Sequence, residues 1–197
     1  AADTDGGGES DSAEIAAGRD PLNPADDFGG GGIGPRVLLT EVVDHATYPN
    51  ARFVEIYNSG DADADLTGWR IARYSNGSTS PTNITVTAGT IVPPGSFWVI
   101  AASSSATTGF PFAFGFDANQ YNSNINGNGD DVYALTDGTN IIDIYGVIGE
   151  QPAAGVTWNY LDSVARRNTG IDTPTPAFDL SQWTITPGDA TASPFVR

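Results

Sequence analysis

The sequence predicts an all-β protein: an antiparallel β-sandwich preceded by an acidic, glycine-rich arm. Three observations carry that reading. From Pro35 onward, short runs rich in β-branched and aromatic residues recur between clusters of Gly, Pro, Asn and Asp. Two dipeptides, Asn76-Gly77 and Asp137-Gly138, are those that tight hairpin turns with positive φ prefer. No apolar face repeats at helical spacing for three turns.

The strands follow in order. The runs 36–43, 52–58, 68–74, 83–87, 96–102, 131–135 and 140–146 each read as a strand, and 156–164 and 183–186 read as edge or closing strands. Asp137-Gly138 sits between Val132-Tyr133-Ala134-Leu135 and Ile141-Ile142-Asp143-Ile144, so those two runs form the clearest hairpin. Seven to nine strands in this span, separated by turn signals, fit a sandwich. Trp69 and Trp98 lie mid-strand beside apolar partners and read as core filler.

At 197 residues and 39% apolar, the chain can bury one core of ordinary size. Residues 1–34 stand apart: 9 Gly, 8 acids and one Arg leave few large apolar side chains. By itself such a segment does not offset its chain entropy and is expected to be disordered, with 29–32 as a hinge. The expected division is therefore a flexible arm over 1–34 and a folded domain over 35–197. Ile15, Leu22 and Phe28 are the arm's candidate anchors for a partner, expected to be a protein, with another copy of the chain among the candidates. Strand addition at a sheet edge would offset the repulsion between two acidic parts.

The charge is −16, from 19 Asp and 5 Glu against 8 Arg with no Lys. That balance repels a phosphate backbone and anionic lipid, so neither nucleic acid nor direct membrane insertion is an expected partner. Cys is absent, which removes disulfides, thiolate nucleophiles and Cys metal sites, and a single His excludes multi-His zinc centres. The Ala1-Ala2 start and lack of Met suit a cut behind a secretory signal peptide, and removal of an initiator Met before Ala in the cytosol gives the same start. With the acidic, lysine-free composition, the expectation is a secreted or cell-surface bacterial protein.

Arg52-Phe53-Val54-Glu55-Ile56-Tyr57-Asn58-Ser59-Gly60, followed by Leu66-Thr67-Gly68-Trp69-Arg70-Ile71, resembles the core signature of lamin-tail domains. Leu38-Leu39-Thr40-Glu41-Val42 resembles that family's opening strand, and Ile91-Val92-Pro93-Pro94-Gly95 with Phe97-Trp98-Val99-Ile100 its central turn and strand. Asn128-Gly129-Asp130-Asp131-Val132-Tyr133-Ala134-Leu135, with Ile142-Asp143, resembles its late hairpin. The resemblance runs from about residue 36 to about 188. Asp162-Ser163-Val164-Ala165-Arg166-Arg167, with Trp183 and Pro187-Gly188, looks like the type found beside secreted bacterial nucleases and phosphatases. The resemblance implies an immunoglobulin-like sandwich without intrinsic catalysis. It does not account for the polar insert 103–127 or for the arm.

Two function classes follow. The first is a non-enzymatic extracellular structural or interaction protein that self-assembles through its arm into a surface polymer or filament. The second is an accessory binding module of a secreted nuclease or phosphatase. No catalytic residues are expected. Asp44-His45 lacks the spatial arrangement of a Ser-His-Asp triad, and no nucleophile elbow exists. Glu41 and Glu55, on neighbouring strands, have the residue types of a glycosidase acid–base pair, but read as structural acids satisfied by Arg70, Arg73 or backbone amides, a fold-supporting role that the resemblance also implies for Glu55. Arg166-Arg167 reads as pairing with acids on the sandwich surface. Asp61, Asp63 and Asp65 begin like a calcium loop, but Leu66 and Ala72 break the pattern. Asn124, Asn126, Asn128 and Asp130 alternate, with Asp117 and Asp131 nearby; these oxygens form the one candidate cation site, for calcium. No other cofactor is expected.

Overall fold

The computed structural model describes residues 2–5, 10–18, 20–23, 34–155 and 157–196. Its strands are β1 (Val37–Val43), β2 (Phe53–Asn58), β3 (Ala64–Asp65), β4 (Arg70–Tyr74), β5 (Thr82–Thr85), β6 (Ile91–Val92), β7 (Phe97–Ala101), β8 (Gln120–Tyr121), β9 (Val132–Thr136), β10 (Ile141–Tyr145), β11 (Ser163–Arg167) and β12 (Trp183–Pro187). Two short helices, α1 (Asp11–Ala17) and α2 (Phe110–Phe114), complete the main elements. One sheet runs β12-β11-β1-β2-β7-β8 and the other β10-β9-β4-β5, with β3-β6 a separate ribbon. All pairs are antiparallel except β7 with β8.

The two sheets close on an apolar core of Leu39, Val42, Val54, Ile56, Ile71, Ile100 and Leu135, with Trp98 and Trp183 at its margins. Each such side chain taken from water contributes about 1.5–3 kcal/mol. Strand β1 is buried along its whole length, so its sequence, Val-Leu-Leu-Thr-Glu-Val-Val, lacks the alternation of a half-exposed strand. A bulge between Leu39 and Glu41 re-phases it. Leu39 and Val42 consequently both face the inner core, while Val43 joins a second cluster on the outer face with Phe53, Val99, Ala101, Phe110 and Val164.

That outer face is covered by the insert. Helix α2 opens with Pro111 in its first turn and stops at Gly115, whose φ of 80° suits a glycine C-cap. It presents Phe110 and Phe114 edge-on to Phe53, each at 5.5 Å between ring centroids. The insert also closes the β5 edge: the Gln120 carboxamide donates to the Thr85 carbonyl at 2.9 Å and accepts from the Thr87 amide at 2.9 Å. A side-chain amide thus occupies the ladder position that another strand would take.

Several readings need correction. The expected strand at 156–164 starts at Ser163, because Thr157 and Asp162 have positive φ (52° and 49°), which breaks an extended path. Trp158 and Tyr160 lie in this turn with buried side chains; Val156 lies outside the described residues. Asn76-Gly77 makes its turn with both φ positive (51° and 73°), whereas the Asp137 loop spans four residues with only Gly138 positive (96°). Arg167 is not on the surface: it is 1% exposed, and its Nη2 donates to Asp143 Oδ2 at 2.5 Å. This pair joins β11 of one sheet to β10 of the other. In the arm, Asp11–Ala17 is helical and ends at Gly18 (φ 76°).

Candidate functional site

The most unusual chemistry lies on the outer face of the six-stranded sheet. The ladder sets Glu41 of β1 opposite both Glu55 of β2 and Arg166 of β11. Opposed side chains on antiparallel strands have Cβ atoms about 4.5–5.5 Å apart. Both glutamates are 1% exposed, and the Arg166 side chain beside them is 31% exposed, so two buried carboxyls share one partly exposed guanidinium. Their partners are not Arg70 and Arg73, which lie on β4 in the other sheet. Thr40 Oγ1 donates to Glu55 Oε1 at 2.7 Å, and Arg166 Nη2 lies 3.2 Å from Glu41 Oε2, within ion-pair reach though not aligned for a hydrogen bond.

The remaining partners come from the C-terminal segment, 189–196, which crosses this face as a strap. The Ser193 amide donates to Glu41 Oε1 at 3.2 Å and the Phe195 amide to Glu55 Oε2 at 2.5 Å. Arg166 Nη2 donates to the Thr191 carbonyl at 2.6 Å and to the Ser193 hydroxyl. Asp189 anchors the start of the strap by accepting the amides of Ala46 (2.6 Å) and Thr47 (3.0 Å) and the Thr47 hydroxyl. Burial pushes the Glu41 carboxyl up to about 7, with Arg166 opposing. Glu55 is pushed up to about 8 by burial and by the charge of Glu41. In chemical terms this is an acid–base pair near neutrality, buried beneath the strap.

The other candidates are spread out. His45 Nδ1 accepts the Tyr48 amide at 3.1 Å and also lies 3.1 Å from Asp189 Oδ1. Burial lowers the histidine pKa from its ordinary value, opposed by the charges of Asp189 and Asp44. Asp44 binds Arg52 Nε at 2.6 Å and the Asp162 amide at 3.0 Å, leaving no triad. In the proposed calcium loop, Asp117 accepts the Tyr121 hydroxyl (2.8 Å) and Asp131 accepts the Asn76 amide (3.0 Å) beside Arg73 (3.5 Å). Asp130 and Asn128 line a cavity of about 390 Å³ with Gln151 and Asn159, where Gln151 donates to Asp130 at 2.8 Å. The side chains of Asn124 and Asn126 are exposed. Among the described residues, no three His, Cys, Asp or Glu side chains gather into a metal-holding group. Asp65 caps the Thr67 amide at 2.8 Å, as an acidic turn should. Ile15 and Leu22 are 67% and 72% exposed, and Phe28 lies outside the described residues.

Sequence reasoning found the two glutamates but not what completes their site. Arg166, Ser193 and Phe195 are more than a hundred residues away along the chain, and no local pattern links them. The only available signal was that β1 and β2 each carry a glutamate inside an otherwise apolar run.

The Lamin Tail Domain model matches residues 34–149, a stretch holding β1 to β10. No curated protein matches the chain. The matched stretch is more than half of the 197 residues, its strands form the expected sandwich, and β11, β12 and the strap extend it beyond the match. The chain belongs to the lamin tail domain family, a family of non-enzymatic, immunoglobulin-like domains.

Proposed function

We propose that this protein is a secreted or cell-surface structural module, without catalytic activity, that associates with other copies of itself through its N-terminal arm. The observation that carries this reading is the inverted facing of α1. Glu14 is fully buried while its neighbour Ile15 is 67% exposed, the reverse of a helix that has found its apolar partner. Leu22 adds a second exposed apolar side chain, at 72%. Scattered exposed apolar residues are ordinary, but two large ones on a segment this polar are suited to anchoring. Strand addition at β5 does not serve this purpose, since Gln120 occupies part of that edge. The acidic surface supports a location where Lys-free, highly charged proteins stay soluble.

The test is removal of residues 1–34. The full chain should form assemblies by light scattering and electron microscopy, and the truncated chain should be monomeric. An identical assembly state for both would end this reading. Calcium at the 122–131 loop is an accessory expectation: Asp130 Oδ1 is buried without a hydrogen-bond partner among the described residues, and a cation would satisfy it. A melting temperature that is the same in calcium and in chelator would remove it.

A further inference from the structure

We propose that residues 189–196 form a proton-gated strap: the facing carboxyls of Glu41 and Glu55 hold it closed while at least one is protonated, and ionisation of both releases it from the outer face of the six-stranded sheet. The strap is held mainly by ionisable side chains. Glu41 and Glu55 take the amides of Ser193 and Phe195, Arg166 holds the Thr191 carbonyl, and Asp189 ties the first residue to the Ala46-Thr47 loop. Apolar contact adds to this at Ala192 and Phe195, which pack on the outer cluster; Phe195 lies 5.7 Å from the ring of Phe116.

The charges facing the pair can be counted element by element. β1 brings Glu41, β2 brings Glu55 and β11 brings Arg166. β12 brings only the hydroxyls of Thr184 and Thr186, which line the groove beside Arg166. The α2–β8 insert brings aromatic rings and Tyr121, whose hydroxyl is bound to Asp117. The strap itself carries Asp189 at its far anchor, next to His45, whose pKa burial lowers. With both glutamates ionised, one guanidinium faces two buried carboxylates among the described residues, and a net negative charge is left beneath the strap. Lifting the strap removes the Ser193 and Phe195 amides and opens both carboxyls to water.

Linkage gives the direction. The closed state holds the two carboxyls at about 7 and 8, whereas an opened, hydrated pair titrates near the ordinary value of 4.5. The closed state thus binds more protons throughout that window. Each unit of rising pH favours opening by up to tenfold per coupled proton, and the effect levels off above about 8. Opening lifts Ala192 and Phe195 off the outer cluster and bares the part of it that the insert does not cover.

Amide hydrogen exchange on the full chain from pH 5.5 to 9.5 tests this, with the intrinsic base-catalysed rate divided out. Protection of the Ser193 and Phe195 amides should fall by up to a hundredfold per pH unit below about pH 7, where two protons are coupled, and by up to tenfold per unit from about 7 to about 8, while protection of the inner-core amides of Ile71 and Leu135 falls far less. In Glu55→Gln, and equally in Glu41→Gln, the fall at Ser193 and Phe195 should be at most half as steep. Protection at those two amides that is constant with pH in the wild type overturns the proposal, whatever the variants do. So does a fall that is equal at core and strap amides, or one that survives both substitutions unchanged.

Discussion

Two groups of buried charge sit on opposite faces of the same six-stranded sheet, and they are balanced differently. On the inner face, Arg167 meets one carboxylate, Asp143, which also accepts the amides of Leu39 at 2.7 Å and Thr175 at 3.0 Å. The guanidinium donates to the Leu39 carbonyl and to Gln182, and lies 4.6 Å over the Trp183 ring. Among the described residues Arg167 forms its ion pair with Asp143, and the partners of the two come from β1, β10, β11 and the segments after them. On the outer face, Arg166 meets two carboxyls, and the shortfall of positive charge is made up by protons and by the amides of the strap. The first arrangement is a fixed tie between sheets. The second depends on pH, because a proton is one of its components. Burial alone therefore does not decide whether a charged group is a structural fastener or a switch; the count of opposing charges does.

The largest effect should come from breaking the inner tie. Arg167→Ala strands Asp143 in the core and should cost about 3–5 kcal/mol in denaturant unfolding. Asp143→Leu added to Arg167→Met should recover part of that loss but not all, because the Leu39 and Thr175 amides are then unpaired.

Next is the outer pair. Since the folded-state values of Glu41 and Glu55 are raised, their contribution is fully present below about 4.5 and is lost as pH rises through 7 and 8. Glu55→Gln removes one of these protons and should be more stable than the wild type at pH 9 by on the order of 3 kcal/mol. The advantage should shrink as the pH is lowered to 5. A stability difference that is the same at both values would mean that the two charge groups behave alike.

Truncation after Gly188 sharpens the same contrast. With the strap gone the glutamates are hydrated, so the loss of stability between pH 5 and 9 should flatten, at a cost of about 1–2 kcal/mol at pH 5 from the lost Phe195 packing. The smallest effect is expected at Gln120→Ala, about 1 kcal/mol for two hydrogen bonds at the β5 edge. Its more visible consequence should be greater aggregation through the opened edge, measured by light scattering.

The two faces also differed in how far they could be read from sequence. The inner face was legible: Val54 and Ile56 alternate as a strand should, Trp98 and Leu135 sit where the pattern places core, and the turn at Asn76-Gly77 has the positive φ its residues suggest. Beyond β10 the reading weakened. Trp158 and Tyr160 look like strand residues because they are large and apolar, but they plug the sandwich from a turn whose positive φ at Thr157 and Asp162 nothing in the sequence announces. The outer face was hidden for another reason. Its cover comes from an insert and a terminal strap distant in the chain, so a glutamate in β1 gives no local sign that its partner is the Ser193 amide. Arg166 and Arg167 show the limit most plainly: adjacent residues on one strand point to opposite faces and enter two unrelated charge groups.

The most direct measurement is a carboxyl-carbon NMR titration of Glu41 and Glu55 in the full chain. The pair should titrate in two coupled steps with apparent values near 7 and 8, and Glu41→Gln should lower the remaining step at Glu55 by removing the facing charge. Titration of both carboxyls near 4.5 would show that the outer face is hydrated and that no proton holds the strap.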